Sequence, residues 1–159
     1  KLLEQADIFY QFSQTQLELV ANLCEQQTYN TGEIIFYEQT DSDELYIITQ
    51  GEVDILVDPS IVGTGPDAKA EPATIATLRR GQSFGEIALV DQGMRSATAR
   101  AARQNTQLLV IPSEELIHLC ATYPKLGYLL MRNLAADLAL KIRNTDLRIR
   151  EKLLYRKID

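Results

Sequence analysis

The sequence has few of the residues from which metal and redox centres are built. Its two cysteines, Cys24 and Cys120, lie far apart, and His118 is the single histidine, with no partner motif such as HExxH. A zinc or iron–sulfur site is therefore excluded from the reading. Both cysteines sit in apolar, helix-like contexts and read as buried free thiols; a disulfide is disfavoured in the cytoplasm. No apolar run approaches the roughly 20 residues needed to cross a bilayer, and no signal peptide is evident at the start. These absences predict a cytoplasmic protein with no membrane contact. The first residue is Lys1 rather than methionine, as expected of a piece of something longer. There is also no nucleophile–base set. Glu86 alone, without a metal, is a thin basis for phosphodiester hydrolysis, so the chain is not read as an enzyme.

What is present suits one domain with an extension: 159 residues, 45% of them hydrophobic, enough for a real core. The net charge of −6 is unevenly spread. Residues 141–159 carry seven basic and three acidic side chains, a net +4, and the remainder nets −10. An acidic body binds nucleic acid poorly. The basic tail reads either as a partner surface or as the solvated face of a helix.

In chain order, residues 2–12 read as a weak helical segment. Ser13-Gln14-Thr15-Gln16 resembles a capping box, followed by Leu17, Val20, Ala21 and Cys24 at helical spacing. From Gln27 the period changes. Ile34–Tyr37, Leu45–Ile48 and Val53–Val57 are short runs rich in β-branched and aromatic residues, separated by turn signals at Gly32, Asp41–Asp43 and Gly51. Closely spaced short strands predict a sandwich or barrel. Residues 58–73, with three prolines and two glycines, read as a long loop. Residues 75–78, 96–99 and 108–111 read as further strands. Pro112–Glu115 looks like a helix start, and Pro124 ends that helix or opens the next. Residues 125–155 predict one long helix, with no proline or glycine after Gly127. Leu130, Leu134, Leu138, Ile142, Thr145, Ile149 and Leu153 recur along it at three- or four-residue steps, a stripe long enough for a coiled-coil-like seam.

Residues 81–102, GQSFGEIALVDQGMRSATARAA, organise the rest. Gly85–Leu89 would form one helical turn entered through a glycine. Free N–H groups at a helix start favour an anion, and small residues let a ligand approach. Arg95 supplies a bidentate fork suited to phosphate, and Ser96 adds a hydroxyl donor. Glu86 would repel a phosphate; as an acceptor it suits a sugar hydroxyl. The stretch asks for one phosphate beside a free ribose hydroxyl. An arginine and a glutamate nine positions apart can instead pair with each other to brace a turn.

At these residues the chain resembles the cyclic nucleotide-binding domains. Phe84-Gly85-Glu86-Ile87-Ala88-Leu89, then Arg95-Ser96-Ala97-Thr98 and Ala101, are similar to the phosphate-binding cassette shared by kinase regulatory subunits, gated channels and the bacterial catabolite activator. Many members have proline where this chain has Met94. The resemblance implies that Glu86 takes the ribose 2′-hydroxyl and Arg95 the cyclic phosphate, with Gly85, Ile87, Ala88, Ser96 and Ala97 completing the cradle. It implies an α+β fold: an antiparallel, jelly-roll-like β-roll at 27–112, N-terminal helices at 1–26 and C-terminal helices at 113–159 that act as lid and dimerisation element. The implied ligand is cyclic AMP rather than cyclic GMP, although Ser96 carries the hydroxyl of the threonine typical of cyclic GMP sites; the bacterial activator has serine there and binds cyclic AMP. No cofactor or metal is implied. In the activator relatives the long helix pairs two subunits, so a parallel homodimer is expected, with no nucleic-acid binding by this chain alone. The function implied is that of a regulatory sensor. The alternatives are the sensor half of a transcription regulator whose DNA-binding part lies elsewhere, or a cassette that no longer binds nucleotide.

Overall fold

A computed structural model describes residues 1–41, 43–58, 71–86, 89 and 94–156. Among them are eight strands in two antiparallel sheets: β1 (Glu25–Tyr29), β2 (Ile34–Phe36), β3 (Glu44–Gln50), β4 (Glu52–Val57), β5 (Ala73–Arg79), β6 (Ser83–Phe84), β7 (Thr98–Ala101) and β8 (Thr106–Pro112). One sheet has the order β1-β8-β3-β6 and the other β2-β7-β4-β5. Among the described residues three α-helices flank them: α1 (Gln14–Ala21), α2 (Ser113–Thr122) and α3 (Pro124–Tyr155). This is the α+β roll that the sequence predicts. Most of the long loop read at 58–73 lies outside the described residues.

The first sheet is covered on both faces, and its two central strands therefore lack polar alternation. On β3, Leu45 and Ile47 point into a core shared with the helices, while Tyr46 and Ile48 point between the sheets. On β8, Leu109 and Ile111 face the helices and Leu108 and Val110 face inward. A strand buried on both sides reads as a continuous apolar run. The second sheet has a wet outer face. There Asp54 accepts from the Thr77 hydroxyl at 2.8 Å and pairs with Arg100 at 3.6 Å, and Glu52 meets Arg103 at 3.1 Å.

The capping box is formed. Gln16 N–H donates to Ser13 Oγ at 3.2 Å, and Ser13 N–H donates to Gln16 Oε1 at 2.9 Å. Pro124 opens α3 rather than closing α2. The cysteines are free but only half-buried; burial still pushes the Cys24 thiol up to about 11.

Two expectations need correction. Residues 2–12 form two 3₁₀ turns, Leu3–Gln5 and Asp7–Phe9, not one helical segment. Ala6 between them is extended (φ −81°, ψ 128°). The carbonyls of Ile8 and Tyr10 are taken instead by the Asn133 side-chain amide of α3, both at 2.9 Å. The strand expected at 96–99 begins at Thr98. Before it, the backbone of Arg95 exchanges two 2.8 Å bonds with Gln39 and Thr40, and Ser96 and Ala97 bend.

Asn133 is 7% exposed and joins the N-terminal turns to α3. Asn133→Ala leaves two carbonyls without their partner, a loss of about 1–3 kcal/mol. Denaturant unfolding is expected to show a lowered midpoint; an unchanged midpoint refutes this role.

Candidate functional site

The site is built where β6 ends. Phe84 is buried between the sheets and stacks on Tyr46, with ring centroids 5.0 Å apart and planes 6° apart. Gly85 follows with φ 76°, in the left-handed region open to glycine. It has no room for a side chain: a Cβ there would lie 2.6 Å from Arg95 Nη1 and 2.9 Å from the Glu44 carbonyl. The chain turns at once into Glu86, and Leu89 anchors the far side in the helix-facing core. Ile87 and Ala88 lie outside the described residues.

Arg95 and Glu86 are both 7% exposed, and they do not pair with each other. The guanidinium of Arg95 lies 4.2 Å over the Phe36 ring and 5.6 Å from that of Tyr46. Nη2 donates to the Glu44 carbonyl at 2.9 Å and Nη1 to the Gly85 carbonyl at 3.3 Å. Among the described residues no carboxylate comes within the 4.0 Å of an ion pair, and the buried Nε has no hydrogen-bond partner. Burial lowers the arginine pKa from its ordinary value, with Tyr46, Glu44, Asp43 and Glu86 opposing the shift. Burial and a 2.7 Å bond to Glu44 raise that of Tyr46, so its hydroxyl remains a donor to Glu44.

Glu86 belongs to a different network. Its Oε1 accepts from Lys141 Nζ of α3 at 2.7 Å. The same ammonium donates to the Ser83 carbonyl at 2.8 Å and pairs with Asp137 Oδ2 at 3.0 Å, one helical turn back. Ser96 is exposed and Ala97 half-buried. Among the described residues, the N–H groups of Gly85, Ser96 and Ala97 donate to nothing.

The structure thus brings Arg95 onto Gly85, with Glu86 next in the chain on one side and Ser96 and Ala97 on the other. The sequence reading missed Phe36, Tyr46 and the Glu44 carbonyl, which seat the arginine, and Lys141, which holds Glu86 and pairs with Asp137. The signal that could have found part of this is the i,i+4 spacing of Asp137 and Lys141 on the long helix, and it points to a helix pair rather than to a site.

A sequence profile of the cyclic nucleotide-binding domain matches residues 26–123. The chain belongs to that family. It is 30% identical over 142 residues to the cyclic AMP receptor protein of Thermus thermophilus, covering 89% of this chain and 60% of that protein. The crystal structure of the Thermus thermophilus catabolite activator protein superposes with a TM-score of 0.73 at 30% identity, covering 94% of this chain and 63% of that one. A cyclic nucleotide-binding domain from Methylobacillus flagellatus gives a TM-score of 0.80 at 26% identity, covering 95% and 80%. The chain spans less than two thirds of the receptor protein and of the crystallised activator.

Within this cyclic nucleotide-binding domain, Gly85→Ala is expected to force the guanidinium off its seat over Phe36. Left-handed strain alone costs about 1–2 kcal/mol. The loss, read by denaturant unfolding, is partly recovered when Arg95→Met is added, since the methionine can move away. A fully additive pair argues that Arg95 does not contact Gly85.

Proposed function

We propose that this domain is a regulatory sensor that binds a cyclic nucleotide, cyclic AMP in preference to cyclic GMP, and couples occupancy to movement of its C-terminal helices. One observation carries the reading: among the described residues, the buried Arg95 has no counter-charge within ion-pair distance, and its buried Nε–H has no acceptor. A buried cation is stable only when paired or fully hydrogen-bonded. A phosphate supplies both the charge and the acceptors. In this reading Arg95 takes the cyclic phosphate, helped by the N–H groups of Gly85, Ser96 and Ala97 and by the Ser96 hydroxyl, and Glu86 accepts the ribose 2′-hydroxyl. Ile87 and Ala88 supply backbone contacts. The preference for cyclic AMP rests on similarity to a protein named for that ligand and on serine at position 96. We place the protein in the cytoplasm and assign it no catalytic step.

Calorimetric titration with cyclic AMP and cyclic GMP, on protein refolded free of carried-over ligand, tests this. Saturable binding is expected, tighter for cyclic AMP, with the nucleotide recovered unchanged. Each charge-assisted bond is worth about 1.5–3 kcal/mol, so Arg95→Leu is expected to weaken binding on the order of a hundredfold or more. Near-normal affinity overturns the phosphate assignment. No heat from folded protein means that the cassette no longer binds nucleotide.

A second reading makes these residues the sensor part of a transcription regulator. Coverage of 60% of the Thermus receptor protein favours it. The full gene product discriminates: a DNA-binding segment beyond these residues supports it.

We further propose a parallel homodimer through residues 125–155. Ile142, Ile149 and Leu153 of α3 are 62%, 51% and 56% exposed, and their seven- and four-residue spacing fits a coiled-coil seam. Solution mass is expected to be that of a dimer, reduced to monomer by Ile149→Glu. A strict monomer with and without ligand overturns the pairing.

A further inference from the structure

Lys141 is not part of the cassette sequence, yet its ammonium sits on the cassette carboxylate. Its ammonium donates to Glu86 Oε1 at 2.7 Å and to the Ser83 carbonyl at 2.8 Å, and it lies at ion-pair distance, 3.0 Å, from Asp137 Oδ2. An ammonium has three donors and no acceptor; two hydrogen bonds and one ion pair hold it in place. The lysine side chain is 28% exposed and the glutamate side chain 9%, which shields the pair from water. Only one glutamate oxygen is used. Oε2 has no hydrogen-bond partner among the described residues, and it is not among the buried unpartnered atoms.

We propose that Lys141 is a positioning residue for the sugar subsite: it pins Glu86 by Oε1 and leaves Oε2 aimed to accept the ribose 2′-hydroxyl. This rests on the reading of Glu86 given above. A free glutamate side chain loses rotamer entropy when it is fixed on a ligand. Here the ion pair has already fixed it, so the hydroxyl meets an oriented acceptor. The subsite is also completed from another element. Ser83 and Glu86 flank Phe84–Gly85, whereas Lys141 and Asp137 lie one turn apart on α3. The sugar carboxylate and the long helix are thus held by one ammonium.

The test compares cyclic AMP with 2′-deoxy-cyclic AMP by calorimetry, using the full chain. Wild type is expected to prefer the ribose form on the order of tenfold or more, the value of one charge-assisted bond. Lys141→Met is expected to shrink that preference to about threefold or less, and Lys141→Arg to keep most of it. A purely structural lysine would weaken both ligands alike and leave the ratio unmoved, which overturns the proposal. A ratio that rises in Lys141→Met also overturns it, because the lysine would then be competing with the sugar. If the single variant misfolds from its unpaired carboxylate, Glu86→Gln and Glu86→Gln/Lys141→Met are compared. Equal ratios in these two support the proposal, and a further drop in the double variant overturns it. Failure of wild type to bind either nucleotide overturns the function proposed above, a result distinct from binding with an unmoved ratio.

Discussion

A buried guanidinium with no counter-ion among the described residues is the constraint around which the cassette is built. Taking such a charge out of water costs several kcal/mol unless neighbouring dipoles replace the lost hydration. Around Arg95 the substitutes are two backbone carbonyls and the face of Phe36. Each imposes a demand elsewhere. The Glu44 carbonyl is available because β3 has not yet paired with β6, whose register with it begins at Tyr46 and Phe84. The Gly85 carbonyl is in reach because a left-handed residue turns the chain there. Phe36 is held by its packing against Tyr46 and Phe84, with centroids 5.6 and 5.9 Å away. The aromatic cluster between the sheets is therefore both core and seat.

Three consecutive residues then serve three masters. Phe84 belongs to the inter-sheet core, Gly85 makes room for Arg95, and Glu86 binds the long helix through Lys141. A shift of this turn cannot be local. It must change the guanidinium seat, the stacking of Tyr46 on Phe84, or the helix contact. Well-packed interfaces respond to such demands by switching between discrete arrangements rather than by bending smoothly. That is the physical content of the proposed coupling of nucleotide occupancy to the helices.

The features legible in the sequence were those written in local chemistry. Leu45–Ile48 and Leu108–Ile111 announced strands because burial on both faces removes polar residues. Ser13 and Gln16 announced a helix start because a cap is a contact between near neighbours. Gly85, Glu86 and Arg95 stood out as a candidate site because small residues around two opposite charges serve packing badly. What escaped was set at long range. The N-terminal segment breaks into 3₁₀ turns because Asn133, more than 120 positions away, takes its carbonyls. β7 starts late because Arg95 must bond with Gln39 and Thr40. Lys141 read as one more charge on a helix because its partners come from β6 and the turn after it.

The long helix shows how one stripe can hold two environments. In sequence, Leu130 through Leu153 is a single continuous row. In the fold, Leu130 and Leu134 are buried against the roll and Leu138 is half-covered, but 142–156 is exposed throughout. At 1.5 Å per residue the helix is about 48 Å long, well beyond what one small roll can cover. Lys141 stands where the covered half ends and the exposed half begins. A contact at that position has the greatest leverage, because among the described residues no contact past it ties the helix to its own domain. Glu86 and the helix's free end are therefore linked by one rigid segment and one ammonium, and whatever displaces either must reckon with the other.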